Sequence, residues 1–192
     1  RWTLVPRTMP TALERAGQLR NDDKTRGEAR RLLTPLLGDA DPVIRAKATG
    51  MLARIERLDG RLAASIEQFR EAISLDQTAG SSSDEADDRL ALSFTLCQNS
   101  TEHRPRCDEA RKVLGEMDAV LARYPEGRAL LPYYLGITDL DTGDLRAGLR
   151  HFEEAERGTA RLGLFNEQSD ARRERAKLLS LLGRQAEAIA LF

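Results

Sequence analysis

The sequence predicts an all-α fold, a stack of about five antiparallel helix pairs joined by tight turns. Three observations carry that expectation. Ala, Leu, Arg and Glu, which lose little side-chain freedom in a helix, dominate a 192-residue chain in which aromatics are only 5%. Apolar residues recur at helical spacing along much of the chain. Segments of that kind follow glycines at equivalent positions, the mark of an internal repeat.

The repeat is read from Gly60, Gly143 and Gly183, which precede GRLAASIEQFREAISLD, GDLRAGLRHFEEAERGT and GRQAEAIALF. Six residues after each glycine stand Ile66, Leu149 and Ile189, and nine after stand Phe69, Phe152 and Phe192. Leu62 with Ala72, and Leu145 with Ala155, extend the same stripe, so these residues share one helix face at 3.6 residues per turn. Each glycine also follows a helical run, where it can take the left-handed conformation that ends one helix and redirects the chain. The unit is helix, glycine turn, helix.

The pairs are placed at about 9–38, 42–76, 83–124, 127–163 and 167–192, within a single domain. In the first, helices over Thr11 to Arg20 and Lys24 to Leu37 put Ala29, Leu33 and Leu36 on one face. Asp41 then caps the next helix, with Pro42 in its first turn. The third pair lacks the glycine. Its second helix is expected from near Cys107, with a stripe of Ala110, Leu114, Met117 and Leu121, and Asn99 to Arg106 forms a longer loop. The run Ser81-Ser82-Ser83 reads as a loop in which Ser83 or Asp84 caps the following helix. The chain starts at Arg1 and stops inside an amphipathic pattern at Phe192, so it reads as a segment of a longer protein.

The spacing Gly-xxx-Ala-xxxx-Phe-xx-Ala, after a helix carrying Leu52-Ala53 or Leu135-Gly136, resembles the tetratricopeptide repeat. Ser65 and Gly148 fall at that family's small residue in the second helix. The resemblance implies a right-handed α-solenoid. Departures are Thr49 and Pro132 at the family's early aromatic position, and a period of 40 residues from Gly143 to Gly183 against the family's 34. Arrays of longer period are similar to those of kinesin light chains, of large bacterial ATPase transcription activators, and of segments preceding caspase-like CHAT domains. DEADDRLALSFTL and YPEGRALLPYYLGITDLDTGDLRAGLRHF are most similar to the last group.

The family's first helices line an inner, concave surface. The resemblance therefore assigns a peptide-binding face to Lys47, Arg54 and Arg57, to Phe94, to Leu130, Tyr133 and Ile137, and to Arg173 and Lys177. Such a groove would be basic at both ends and apolar in the middle, suited to an acidic peptide. The competing reading is that these cations are the solvated face of amphipathic helices. The carboxylate-clamp pattern of chaperone-binding repeats is not reproduced, because Gly50 stands where it requires Lys.

Cys97, His103 and Cys107 cluster at the irregular turn, with three readings open: two small buried thiols, a disulfide implying an oxidising compartment, or a zinc site on a non-standard C-x5-H-x3-C spacing. No metal or other cofactor is assigned. A formal net charge of −1 provides no field for a nucleic-acid backbone, and no apolar run reaches the roughly 18 residues a membrane span needs. The histidines are His103 and His151, and no phosphate loop, HExxH or Gly-x-Ser-x-Gly occurs, so an enzyme is the remote alternative. His151 reads as a surface or groove-edge residue, with Glu153 and Glu154 pointing elsewhere.

The expected function is a protein-interaction scaffold, or a regulatory segment of a larger bacterial signalling protein. Its partner would be a protein or peptide, an acidic one included, or an effector domain in the same chain. The rival is a stand-alone adaptor or dimerisation module. The expected location is cytoplasmic, or extracytoplasmic if Cys97 and Cys107 are bonded.

Overall fold

A computed structural model describes residues 11–99 and 105–192. They form α1 (Ala12–Leu19), α2 (Arg26–Leu33) continued by a 3-10 turn (Thr34–Gly38), α3 (Pro42–Leu58), α4 (Leu62–Ala79), α5 (Ser82–Cys97), α6 (Cys107–Gly115), α7 (Asp118–Leu121), α8 (Pro125–Thr142), α9 (Leu145–Arg161), α10 (Phe165–Leu181) and α11 (Gln185–Ile189). The architecture is all-α, with the helices packed sequentially in antiparallel pairs. Among the described residues no helix is long and apolar enough to cross a membrane.

The three glycines chosen from the sequence end helices in the left-handed region, with φ of 78° at Gly60, 84° at Gly143 and 76° at Gly183. Gly80 and Gly163, which sequence reasoning passed over, do the same at 72° and 69°. All five turns close by one pair of backbone bonds. The amide after the glycine reaches back to the final turn of the helix, as from Arg61 to the Glu56 carbonyl (2.9 Å) and from Asp144 to that of Asp139 (2.8 Å). The glycine amide meanwhile donates to a carbonyl three residues back, satisfying groups that a helix end otherwise leaves open.

Starts are equally local. Thr11 and Glu14 form a reciprocal capping box, Asp41 accepts from the Val43 amide at 2.8 Å with Pro42 in the first turn, and Asp144 accepts from that of Ala147 at 3.0 Å. The cap of α5 is a correction: Ser81 holds that position, hydrogen-bonded to Asp84, while Ser83 and Asp84 lie inside the first turn. In the third pair the expected second helix is broken into α6 and α7 around Glu116 and Met117. Its stripe survives the break, since Ala110, Leu114, Met117 and Leu121 are all buried.

Burial follows the repeat. Phe69 and Phe152 are fully enclosed, as are Ala72 and Ala155, whereas Ile189 and Phe192 at the end of the chain are exposed. The small residues of the repeat permit close helix approach. Ser65 donates to the Ala53 carbonyl at 2.7 Å, and a side chain at Gly136 would meet the Phe152 ring at 2.8 Å. Beyond the pairs, first helices of successive pairs also touch, α1 with α3, α3 with α5, α5 with α8 and α8 with α10.

Candidate functional site

Those contacts between first helices bound an open cavity of about 600 Å³. Arg20, the C-cap of α1, Arg54 and Arg57 from α3, Phe94 from α5, Leu130, Tyr133 and Tyr134 from α8, and Glu167 and Asp170 from α10 all face it. One first helix from each of the five pairs therefore contributes. A smaller cavity of about 270 Å³ shares Arg20, Arg54 and Asp87 and adds Lys47 and Gly50.

The cations differ in what already neutralises them. Arg54 is committed: its guanidinium binds the Asp88 carboxylate at 2.5 Å and the Gly50 carbonyl at 3.0 Å, and lies 5.3 Å from the centre of the Phe69 ring. Asp88 is only 4% exposed and packs so close to Gly50 that a methyl group there would collide with its oxygens. Burial raises the Asp88 pKa and Arg54 opposes that rise, so each stabilises the other's charge inside the fold. Lys47 stands 3.6 Å from Asp84.

Among the described residues, Arg57 and Arg20 have no carboxylate partner. The Arg57 guanidinium lies 5.3 Å from the Phe94 ring centre, and its Nε is buried without a hydrogen-bond partner. Burial, and then Arg54, lower its pKa. Arg20 is lowered in the same way by burial, Arg54 and Arg57, against an opposing effect of Asp88. Mutual repulsion among three guanidinium groups is the condition an incoming anion would relieve.

An aromatic wall adjoins them. Phe94 and Tyr134 meet edge to face at 6.5 Å, Tyr133 and Tyr134 at 5.4 Å, and Tyr133 reaches the core through Phe152 at 5.7 Å. The Tyr124 hydroxyl donates to Asp87 at 3.1 Å. Burial raises the Asp87 pKa and that bond opposes the rise.

Of the residues assigned from sequence, Arg54, Arg57, Phe94, Leu130 and Tyr133 meet at the cavity of about 600 Å³ and Lys47 lines that of about 270 Å³. Ile137 does not join them; it packs with Tyr133 against the core around Leu149 and Phe152. Arg173 and Lys177 line a different cavity of about 660 Å³, with Leu181, Ile189 and Phe192. Both are paired, Arg173 with Asp170 and Lys177 with Glu174. The α10 residues that line the cavity of about 600 Å³ are instead acidic, Glu167 and Asp170, the latter paired with Arg173. Sequence reasoning missed Arg20, Tyr134 and this acidic edge. Tyr134 was detectable as the neighbour of Tyr133, whereas Arg20 sits at a helix end outside the repeat frame.

Cys97 and Cys107 are free, buried thiols facing one another at the α5–α6 junction, and His103 lies outside the described residues. His151 is away from the cavity, where its Nδ1 meets Asp139 at 2.6 Å, and Asp139 also accepts from Arg111 at 2.7 Å. No protein-family model matches the chain, and no curated protein is significantly similar to it.

Proposed function

We propose that this chain is a protein-interaction segment of the tetratricopeptide type, a right-handed α-solenoid that holds an extended peptide or a partner helix against its first helices. The observation that carries the reading is that the first helices of all five pairs converge on one cavity. A curved stack with its first helices inside would produce that arrangement. The cavity offers the cations Arg20 and Arg57 with Asp87 nearby, the aromatic residues Phe94, Tyr133 and Tyr134, and on α10 the carboxylate of Glu167 beside Asp170, which Arg173 already pairs. A ligand with an acidic residue, an apolar anchor and a basic residue complements that set. Its setting in a larger signalling protein, beside an effector domain that it regulates, is the remaining part of the proposal and stands on the resemblance alone.

Selection from a phage-displayed random peptide library tests the reading. Enriched peptides should carry an acidic residue close to an aromatic or aliphatic anchor. Arg57→Ala should weaken them about tenfold or more, the ordinary cost of removing a central Arg contact. Failure to enrich any sequence, or equal affinity for a folded Arg57→Ala, Tyr134→Ala double variant, refutes it.

A second reading, self-association, is favoured by the exposed Leu181, Ile189 and Phe192 beside one another at α10 and α11. Light scattering that reports a monomer at high protein concentration would reject it.

A further inference from the structure

We propose that Cys97 and Cys107 are a cross-linking site, which forms an intramolecular disulfide by exchange with a low-molecular-weight disulfide such as oxidised glutathione. The inference is independent of the groove. Cys97 is the last residue of α5 and Cys107 the first of α6, and their sulfurs lie within 4.8 Å of each other. The residue before each cysteine is joined to its counterpart by a backbone bond, from the Arg106 amide to the Leu96 carbonyl at 2.7 Å. That bond holds the two helix ends together, both anchored in one core cluster with Leu92, Leu96 and Ala110, so that the sulfurs have to close only from within 4.8 Å to bonding distance.

The junction also lacks the closure used elsewhere. Gly60, Gly80, Gly143, Gly163 and Gly183 end their helices in left-handed turns, whereas α5 ends at Gln98 with extended backbone (φ −67°, ψ 144°). A covalent bond across this connection would do what a glycine turn does at those five junctions. It would hold α6 against α5, and α6 in turn packs on α8, which carries Tyr133 and Tyr134.

The exchange runs in two displacements. A Cys107 thiolate, the more exposed of the two, attacks one sulfur of the small disulfide, and one glutathione thiolate leaves. Cys97, as thiolate, then attacks the Cys107 sulfur of the mixed disulfide and expels the second glutathione thiolate. Two protein thiols are oxidised, one small disulfide is reduced to two thiols, and the two cysteine protons pass to the departing thiolates. Among the described residues, three charged groups face the pair. Asp141, with a carboxylate oxygen within 4.8 Å of both sulfurs, and Asp108 oppose thiolate formation, while Arg111 favours it. Burial is the largest influence and raises both thiols, Cys97 and Cys107 alike. Attack is therefore slow near neutral pH and accelerates as pH rises.

The full chain, purified reduced, would be equilibrated with glutathione buffers of graded potential and followed by intact mass and by alkylation of native thiols. The expected result is a single two-electron transition to a species lighter by two hydrogens and without bound glutathione, with a raised melting temperature. Cys97→Ser should instead trap glutathione on Cys107. Asp141→Asn should speed exchange about threefold for each unit by which the attacking thiol's pKa falls, since lost nucleophilicity offsets part of the gain in thiolate. Thiols that stay alkylatable at every potential, or wild-type protein that retains a mixed disulfide, would overturn the proposal. So would zinc that stays bound through desalting at one per chain and blocks alkylation, because the pair would then be a metal site.

Discussion

Asp76 provides the sharpest test of the electrostatics. It lies in the last turn of α4, is 1% exposed, and neither of its carboxylate oxygens has a hydrogen-bond partner. Burial comes first in raising its pKa, followed by Asp88, Asp84 and Glu85 on α5, against a weaker opposing effect of Arg54; the result is about 8, from an ordinary 3.8. The dipole of α4 acts in the same direction, because negative charge is disfavoured at a helix C-terminus. At neutral pH the folded protein therefore holds Asp76 protonated, while the unfolded chain holds it ionised. A folded pKa above the unfolded one means that folding takes up a proton. The cost is absent below about pH 4, grows as pH rises, and levels off above about pH 8. At about 1.4 kcal/mol per pH unit between 3.8 and 7 the penalty would reach about 4 kcal/mol, and roughly half of that is expected once relaxation of the protein around the buried ion is allowed for.

Asp76→Asn keeps the shape and removes the ionisation. The variant should gain about 2 kcal/mol over the wild type at pH 7 and close to nothing at pH 4. Urea unfolding at pH 4, 5.5, 7 and 8.5, with an unchanged denaturant slope, measures it directly. A stability difference that is the same at pH 4 and pH 7, or an Asn variant less stable than wild type at pH 7, would refute the reasoning.

Two further outcomes follow from local chemistry. Gly143→Ala should destabilise the fold by about 1–2 kcal/mol in thermal or urea unfolding, because φ of 84° costs a side chain that much, whereas Gly115→Ala, at ordinary φ in open space, should be neutral or better. Asp59 accepts hydrogen bonds from Arg30 (2.6 Å), Arg26 (2.5 Å) and Arg61 (2.7 Å); burial raises its pKa, but these three outweigh it and hold it at about 2. Its folded pKa is depressed, so the stabilisation is present above pH 3.8 and lost as pH falls towards 2; Asp59→Asn should cost about 1 kcal/mol at pH 7 after solvent screening, a loss that vanishes in unfolding curves near pH 2.

Much of the helix framework was legible in advance because its determinants are short-ranged. Gly60, Gly143 and Gly183 could be chosen because a tight turn and a 3.6-residue stripe leave their marks within some fifteen residues. Gly80 and Gly163 escaped, since no matching stripe follows them, yet each lies 20 residues from a glycine that was identified. The break between α6 and α7 escaped too. Burial of Leu114, Met117 and Leu121 continues through it, so the apolar pattern cannot register the interruption. At the candidate site, residue types were readable but their state of charge was not. Lys47, Arg54, Arg57, Arg173 and Lys177 are alike as a list of cations, and only the fold separates Arg57, with no carboxylate partner among the described residues, from the four that have one.

By itself, then, the amino-acid order determined the helical class, the position of three of the turns, and the faces that must be buried, since these follow from backbone conformation and side-chain period over one or two helical turns. Tertiary structure decided which charges remain available and which titrations are displaced. Arg54 meets Asp88 from 34 residues away, and Asp141 approaches Cys97 and Cys107 from a third helix. Coulomb energy and desolvation depend on distance and burial in space, which local spacing along the chain does not carry.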